Sequence, residues 1–255
     1  MKISLSNSIF SKYPLTSNLA NAKKLGFKNI EFNMQTVERC EEKSVYKIKK
    51  ILEKNGLKCL TLHSATFPVT DEIEVPKAIY FVKVSAQFSN LLNAPIMVVH
   101  SNVSRKLSAV RRNKILSLIY DEVRPYVKKL NLKLSLENLS NPSKSFGNNL
   151  NEIDQILGKI DDGSMGLTLD FCHGETTGQT MKILEKYKDR IYNVHISNKN
   201  HGVLEPGTPN LKNFLIKLKN FGYSGPLTIE LNSSCTQDQI LKTKLTLENI
   251  LNFRD

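Results

Sequence analysis

The chain is poor in cysteine, has no long apolar run, and carries too few acids to balance its bases. Its four cysteines, Cys40, Cys59, Cys172 and Cys235, share no short paired spacing, which argues against a structural zinc knuckle or a disulfide framework. Cys59 reads as core and Cys172 as packing. The longest uninterrupted apolar stretch, Ala94 to Val99, is far too short to cross a bilayer. The opening Met1-Lys2-Ile3-Ser4-Leu5 lacks the apolar core of a secretory signal, so a cytoplasmic location is expected. No Pro/Gly/Ser-rich linker or shift in composition divides the chain, so one domain over residues 1–255 is the economical count.

The deficit of acids leaves a formal charge of +12. That is enough to attract phosphate-bearing partners, whether nucleic acid or a sugar phosphate. Much of the excess, however, lies on helical segments such as Lys47-Ile48-Lys49-Lys50 and Tyr187 to Arg190, which belong on a solvated outer ring. One basic pair, Arg105-Lys106, follows His100 closely and is a candidate phosphate holder.

What the sequence does contain is a recurring short apolar run. Eight are found: Lys2 to Ser6, Asn29 to Asn33, Lys58 to His63, Ile96 to His100, Lys133 to Glu137, Gly166 to Asp170, Tyr192 to Ile196 and Pro226 to Leu231. Their starts lie 26 to 38 residues apart. Segments of 3.6-residue periodicity such as Val45 to Asn55 and Ala109 to Leu130 fill the gaps. Three helix ends repeat one phrase, Leu25-Gly26-Phe27, Asn55-Gly56-Leu57 and Phe221-Gly222-Tyr223, where glycine can take the left-handed conformation that stops a helix. Strand and helix therefore alternate throughout, which implies a parallel sheet. Eight such units in a chain of this length match an α/β fold of the closed (β/α)8 TIM-barrel kind. The competitor, an open doubly wound sheet, would place a glycine-rich phosphate turn after its first strand; Ser6-Asn7-Ser8-Ile9-Phe10 contains no glycine.

In a barrel the catalytic groups gather at the C-terminal ends of the strands. His63, His100, Glu137, Asp170, His195 and Glu230 all close otherwise apolar runs, where an ionisable side chain is costly to bury without partners. Carboxylates mixed with imidazole suit a divalent ion: Zn or Mn, with Mg or Co also compatible.

These residues resemble the xylose isomerase-like barrels, a family that includes sugar isomerases and epimerases and abasic-site nucleases of the endonuclease IV type. The resemblance rests on Leu134-Ser135-Leu136-Glu137-Asn138, Gly166-Leu167-Thr168-Leu169-Asp170-Phe171-Cys172-His173, Asn193-Val194-His195-Ile196 and Leu227-Thr228-Ile229-Glu230-Leu231, and spans nearly the whole chain. It implies that Glu137, Asp170, His195 and Glu230 hold a metal ion. His173 then serves as a substrate contact or a further metal ligand, and His201, in a segment similar to the family's loop after strand seven, becomes a site residue. Asn29-Ile30-Glu31-Phe32 looks like the isomerase side of the family, with Glu31 expected to anchor a helix rather than touch substrate.

His63 and His100 divide the family. In its nuclease branch two such histidines join the first glutamate on a second zinc, while a third zinc needs an aspartate at the position of Lys199, whose ammonium cannot ligate. The loop His63-Ser64-Ala65-Thr66-Phe67-Pro68 also departs from the DNA-intercalating loop of that branch. The reading favoured by the sequence is a metal-dependent isomerase or epimerase of a sugar or sugar phosphate, with one or two ions per chain. Glu137 and Glu230 move the proton, His173 and His201 bind hydroxyls, and Arg105 or Lys106 selects a phosphate. The alternatives are a zinc phosphodiesterase acting on abasic DNA and a metal-binding barrel without activity. Weak DNA binding at most is expected.

Overall fold

A computed structural model describes residues 1–36, 42–161 and 163–252; Cys40 lies outside them. Eight parallel strands close a barrel in sequence order. They are β1 (Lys2–Ser6), β2 (Asn29–Asn33), β3 (Lys58–His63), β4 (Ile96–Val99), β5 (Lys133–Glu137), β6 (Gly166–Asp170), β7 (Ile191–Ile196) and β8 (Pro226–Ile229). The described α-helices are α1 (Leu15–Lys24), α2 (Glu42–Asn55), α3 (Val75–Leu91), α4 (Ala109–Lys129), α5 (Leu150–Ile160), α6 (Phe171–Thr177), α7 (Thr180–Tyr187), α8 (Leu211–Asn220) and α9 (Gln237–Asn252). Each of the eight runs read from the sequence is a strand, with ends shifted by at most two residues. His100 and Glu230 fall just past the ends of β4 and β8.

The repeated glycine phrase stops α1, α2 and α8 in one way. Gly26, Gly56 and Gly222 have φ of 73°, 60° and 75°. The residue after each glycine, Phe27, Leu57 or Tyr223, donates its amide back to Ala22, Leu52 or Leu218. Those six-to-one bonds satisfy carbonyls that the last helical turn leaves open, and a side chain at the glycine would strain the turn.

The strands alternate sharply between their two faces. Ile30 and Phe32, Leu134 and Leu136, Leu167 and Leu169, Val194 and Ile196, and Leu227 and Ile229 are buried in the apolar core. The residues that alternate with them are polar and equally buried: Glu31, Ser135, Thr168, Asn193 and Thr228. These meet one another inside the barrel. Ser135 Oγ lies 2.8 Å from Thr168 Oγ1, and Thr228 donates to Asn193 Oδ1 at 3.1 Å. One step further along each strand, on the same face, come His63, Glu137, Asp170, His195 and Glu230. A period of two, carried through a closed barrel, thus delivers the charged residues to one rim above a floor of hydrogen-bonded hydroxyls and amides.

Glu31 departs from expectation. It anchors no helix: as the inward residue of β2 it is fully buried and accepts a hydrogen bond from His195 Nε2 across the barrel at 2.8 Å.

Among the described residues no helix is long and apolar enough to cross a membrane.

Candidate metal centre

Glu137 ends β5 at the centre of the rim, and its two oxygens face different partners. Oε1 lies 3.0 Å from His195 Nδ1, while Oε2 lies 3.1 Å from His63 Nε2 and 3.0 Å from His100 Nε2. His195 Nδ1 also stands 3.1 Å from Glu230 Oε2 and 3.9 Å from Asp170 Oδ2. Glu137, Asp170, His195 and Glu230 thereby offer four ligand atoms within 4.8 Å of one another. His63, His100 and Glu137 form a second such group, and Asp170, His173 and His201 a third.

The Asp-x-x-His spacing has a local cause. Asp170 is the N-cap of α6, and its Oδ1 accepts the backbone amide of His173 at 2.8 Å, which brings the third residue of the helix back over the strand end. Asp170 Oδ2 is left buried with no hydrogen-bond partner. Gly174 lets α6 sit tightly against α7, since a Cβ there would lie 2.5 Å from Thr180 Oγ1. Cys172 is buried in packing, as its position between Asp170 and His173 suggested. His201, with φ of 53°, sits in a turn closed by the paired backbones of Asn198 and Gly202.

Four of the five imidazoles have one ring nitrogen taken by a fixed acceptor outside the cluster. His63 Nδ1 reaches Ser64 O at 3.1 Å, His173 Nδ1 reaches Asn138 O at 2.9 Å, and His201 Nδ1 reaches Glu230 O at 3.0 Å. His195 Nε2 reaches Glu31. A carbonyl or carboxylate can only accept, so each of these nitrogens carries the proton, and in the neutral ring the other nitrogen presents a lone pair. Those lone pairs aim at further acceptors: Glu137 for His63 and His195, and each other for His173 and His201, whose Nε2 atoms are 3.2 Å apart. Lone pairs facing lone pairs need a cation between them, a proton or a metal, and an outward N–H on a protein acceptor is the usual support of a metal-ligating histidine. The donor set therefore fits a divalent ion.

The electrostatics agree. Burial pulls the His63 imidazole down, but its hydrogen bond to Glu137 and the charges of Glu137, Glu31 and Glu230 outweigh that and push it to about 9. His195 is likewise disfavoured by burial yet held well above the ordinary imidazole value by Glu31, Glu230 and Glu137. Burial opposes ionisation of Glu137 and Glu230 too; the facing imidazoles win, placing Glu137 well below the usual carboxylate range and Glu230 at about 2. Asp170 goes the other way, raised first by burial and then also by the charge of Glu137. No lysine or arginine contacts Glu31, Glu137, Asp170 or Glu230 among the described residues. With neutral imidazoles the four carboxylates carry a charge of −4, which two divalent ions would neutralise.

Above the rim opens a polar cleft of about 300 Å³, lined by His63, His100, His173, His201, Glu137 and Glu230 together with Asn33, Gln35, Leu139, Ser140, Ser143 and Ser145. Sequence reasoning missed these amides and hydroxyls, since nothing in a loop asparagine or serine marks it as facing a site. Among the described residues no lysine or arginine lines the cleft. Arg105 is held by Glu152, with Nη2 2.8 Å from Oε2 and Nη1 on Oε1, and its Nε donates to Ser143 O. Lys106 is exposed. The pair meant to seize a phosphate is thus split between an internal ion pair and solvent. Lys199 is exposed as well, and Asp170 is the carboxylate that stands with His173 and His201. Phe67, in the loop after β3, stacks on Phe81 at 5.8 Å between ring centroids rather than projecting.

Comparison with known proteins agrees with this architecture. The family model for the xylose isomerase-like TIM barrel matches residues 19–250. An inosose isomerase from Halalkalibacterium halodurans is 24% identical over 85% of this chain and 82% of its own length. A probable endonuclease 4 from Halothermothrix orenii is 26% identical over 57% of this chain, and an uncharacterised protein of Methanocaldococcus jannaschii 27% identical over 62%. The chain spans little more than half the length of these last two relatives, 54% and 59%. Among solved structures, a D-tagatose 3-epimerase-like protein superposes with a TM-score of 0.85 at 21% identity, covering 98% of this chain and 97% of the other. The chain belongs to the xylose isomerase-like TIM-barrel family.

Proposed function

We propose that the protein is a divalent-metal-dependent isomerase or epimerase of an unphosphorylated sugar. The observation that carries this reading is the combination of a four-ligand seat, Glu137, Asp170, His195 and Glu230, with a cleft whose remaining walls, among the described residues, are amides, hydroxyls, imidazoles and Leu139, with no lysine or arginine. Such walls complement the hydroxyls of a polyol, whereas a phosphoryl group calls for arginine or lysine, and Arg105 beside the cleft is already neutralised by Glu152. A bound divalent ion supplies Lewis-acid polarisation of a carbonyl and its neighbouring hydroxyl. Glu230, whose side chain is 14% exposed against 1% for Glu137, faces the cleft and takes the proton from the carbon beside the carbonyl. Glu137, from the other side of the rim, delivers a different proton, one taken up from solvent, while the proton on Glu230 passes to solvent. Delivery to the same carbon from the opposite face gives an epimer, and delivery to the neighbouring carbon gives an isomer. His173 and His201 orient hydroxyls through their inward nitrogens. The relatives named as an inosose isomerase and a D-tagatose 3-epimerase-like protein support this assignment.

Turnover in D₂O tests it. Zinc- or manganese-loaded protein, incubated with a panel of free ketoses and inososes, should build solvent deuterium into carbon next to the carbonyl, and Glu230→Gln should abolish that exchange. Turnover without deuterium entry would refute proton transfer, and turnover of only phosphorylated sugars would refute the substrate class.

A second reading, a two-metal phosphodiesterase acting on abasic DNA, is favoured by one specific observation. Glu137 divides its oxygens between the four-ligand seat and the His63–His100 pair, the arrangement by which one carboxylate bridges two ions. Metal analysis returning two or more ions per chain, with catalytic incision of an abasic duplex and no turnover of any sugar, would replace the first reading by this one.

A further inference from the structure

Glu31 stands below the ligand layer, and three donors converge on one of its oxygens. His195 Nε2 lies 2.8 Å from Oε2, Thr61 Oγ1 2.9 Å and Asn193 Nδ2 3.3 Å. Oε1 is buried without a hydrogen-bond partner. The donors are themselves fixed: Asn193 accepts from Thr228 through Oδ1, so that its NH₂ end faces Glu31. Carboxylate Oε2 is therefore held as an acceptor at a set place on the floor of the barrel.

His195 has two competing ways to satisfy itself. With the proton on Nε2 it donates down to Glu31 and leaves the Nδ1 lone pair facing Glu137, Asp170 and Glu230. With the proton on Nδ1 it would donate up to Glu137 at 3.0 Å or Glu230 at 3.1 Å, and so plug the four-ligand seat from inside. A neutral imidazole can do only one of these. We infer that Glu31 is a positioning residue that selects the first, pinning the proton on Nε2 so that His195 meets a divalent ion through Nδ1. This rests on the four-ligand cluster being a metal seat, and adds to it the residue that keeps the seat open.

The test uses zinc affinity of the full chain, read by competition with a chromophoric chelator, alongside thermal unfolding of zinc-free protein. Glu31→Gln can keep an oxygen where Oε2 stands and removes only the charge; Glu31→Leu removes the acceptor. Outer partners of ligating histidines are typically worth 10- to 100-fold in metal affinity, so Gln should bind about tenfold and Leu about a hundredfold more weakly than the parent. A purely structural role would instead lower the zinc-free melting temperature and leave the affinity of folded protein unchanged, and that result would overturn the inference. Should both variants fail to fold, histidine-labelled, zinc-loaded parent decides by two-bond ¹H–¹⁵N correlations. Zinc on Nδ1 with a proton on Nε2 supports the assignment; zinc on Nε2 refutes it. A parent chain that takes up no zinc fails at the earlier step and sinks the metal seat itself.

Discussion

Asp170→Asn should make the protein more stable without metal and less stable with it. The asparagine keeps the N-cap bond to the His173 amide, since its carbonyl oxygen replaces Oδ1, and the Asp170 amide still donates to Asn138 Oδ1 at 2.7 Å. What disappears is one of four buried negative charges, and with it an oxygen that has no hydrogen-bond partner. Burying an unsatisfied polar atom costs about 1 to 3 kcal/mol, and more when the group is charged. Relief on that scale is worth roughly 2 to 12 °C in melting temperature for a chain of this size. The parent instead gains from ligand: zinc at about a hundredfold over Kd contributes about 2.7 kcal/mol, or roughly 5 to 11 °C.

Differential scanning fluorimetry at pH 7, with chelator and then with excess zinc, gives four melting temperatures. In chelator the variant should exceed the parent; in zinc the order should reverse. The pH sense is also set. Because the Asp170 pKa is raised in the folded state, its ionised form is a penalty at neutral pH, and the variant's advantage should fade as pH falls toward the ordinary aspartate value of 3.8. A variant less stable than the parent in chelator, or one that keeps the full zinc shift, would refute the picture of Asp170 as a carboxylate waiting for a cation.

His63, raised to about 9, stabilises the zinc-free fold in full below the ordinary value of 6.5 and loses that contribution as pH rises through 9. Chelated protein should therefore melt lower at pH 9.5 than at pH 7, while zinc affinity rises over the same window as fewer protons must leave; flat profiles would contradict this. Arg105→Ala should cost stability, because it strips a partner from Glu152, whose carboxylate also accepts the amides of Gly147 and Asn148. It should leave kcat/KM on a neutral sugar within about twofold, and a tenfold loss would restore Arg105 to the substrate site. Any retention on DNA at low salt should fall when exposed lysines on the face opposite the site, Lys2, Lys28, Lys58 and Lys133, are changed to glutamate, with catalysis untouched. Loss of DNA retention on reversing mouth residues Lys106 and Lys199 alone would instead place that contact over the centre.

The barrel was legible because two signals coincide: apolar runs of strand length at unit spacing, and a glycine phrase that ends helices. The convergence of the candidate residues was legible for a related reason. Along β5, β6, β7 and β8 the inward residue before each of them is Ser135, Thr168, Asn193 or Thr228, so the polar face of these strands can be counted up to Glu137, Asp170, His195 and Glu230. Glu31 obeys the same count, as the inward residue between Ile30 and Phe32, yet its partner on the opposite side of the barrel, 164 residues away, is fixed by closure and not by any local pattern. The Arg105–Glu152 pair was not legible for the complementary reason: Glu152, in the first turn of α5, has no sequence mark tying it to that arginine.

Alternation also explains why this site tolerates so many acids. A buried carboxylate on a loop must find its own cation, and the cost of failing is several kcal/mol. Here the strands hold the carboxylates and imidazoles at one height, so each acid meets histidines from other strands without any loop having to order itself. The floor beneath them is built of residues that only donate to or bridge one another, and it offers no positive charge. Protons balance the rim by charging the imidazoles, which raises His63 and His195, and by favouring the neutral carboxyl of Asp170. On the metal-dependent reading proposed above, the same geometry that lets the ion-free chain gather protons would make it surrender them to a divalent ion, and this exchange, rather than any single side chain, is what the reading predicts of the barrel's polar face.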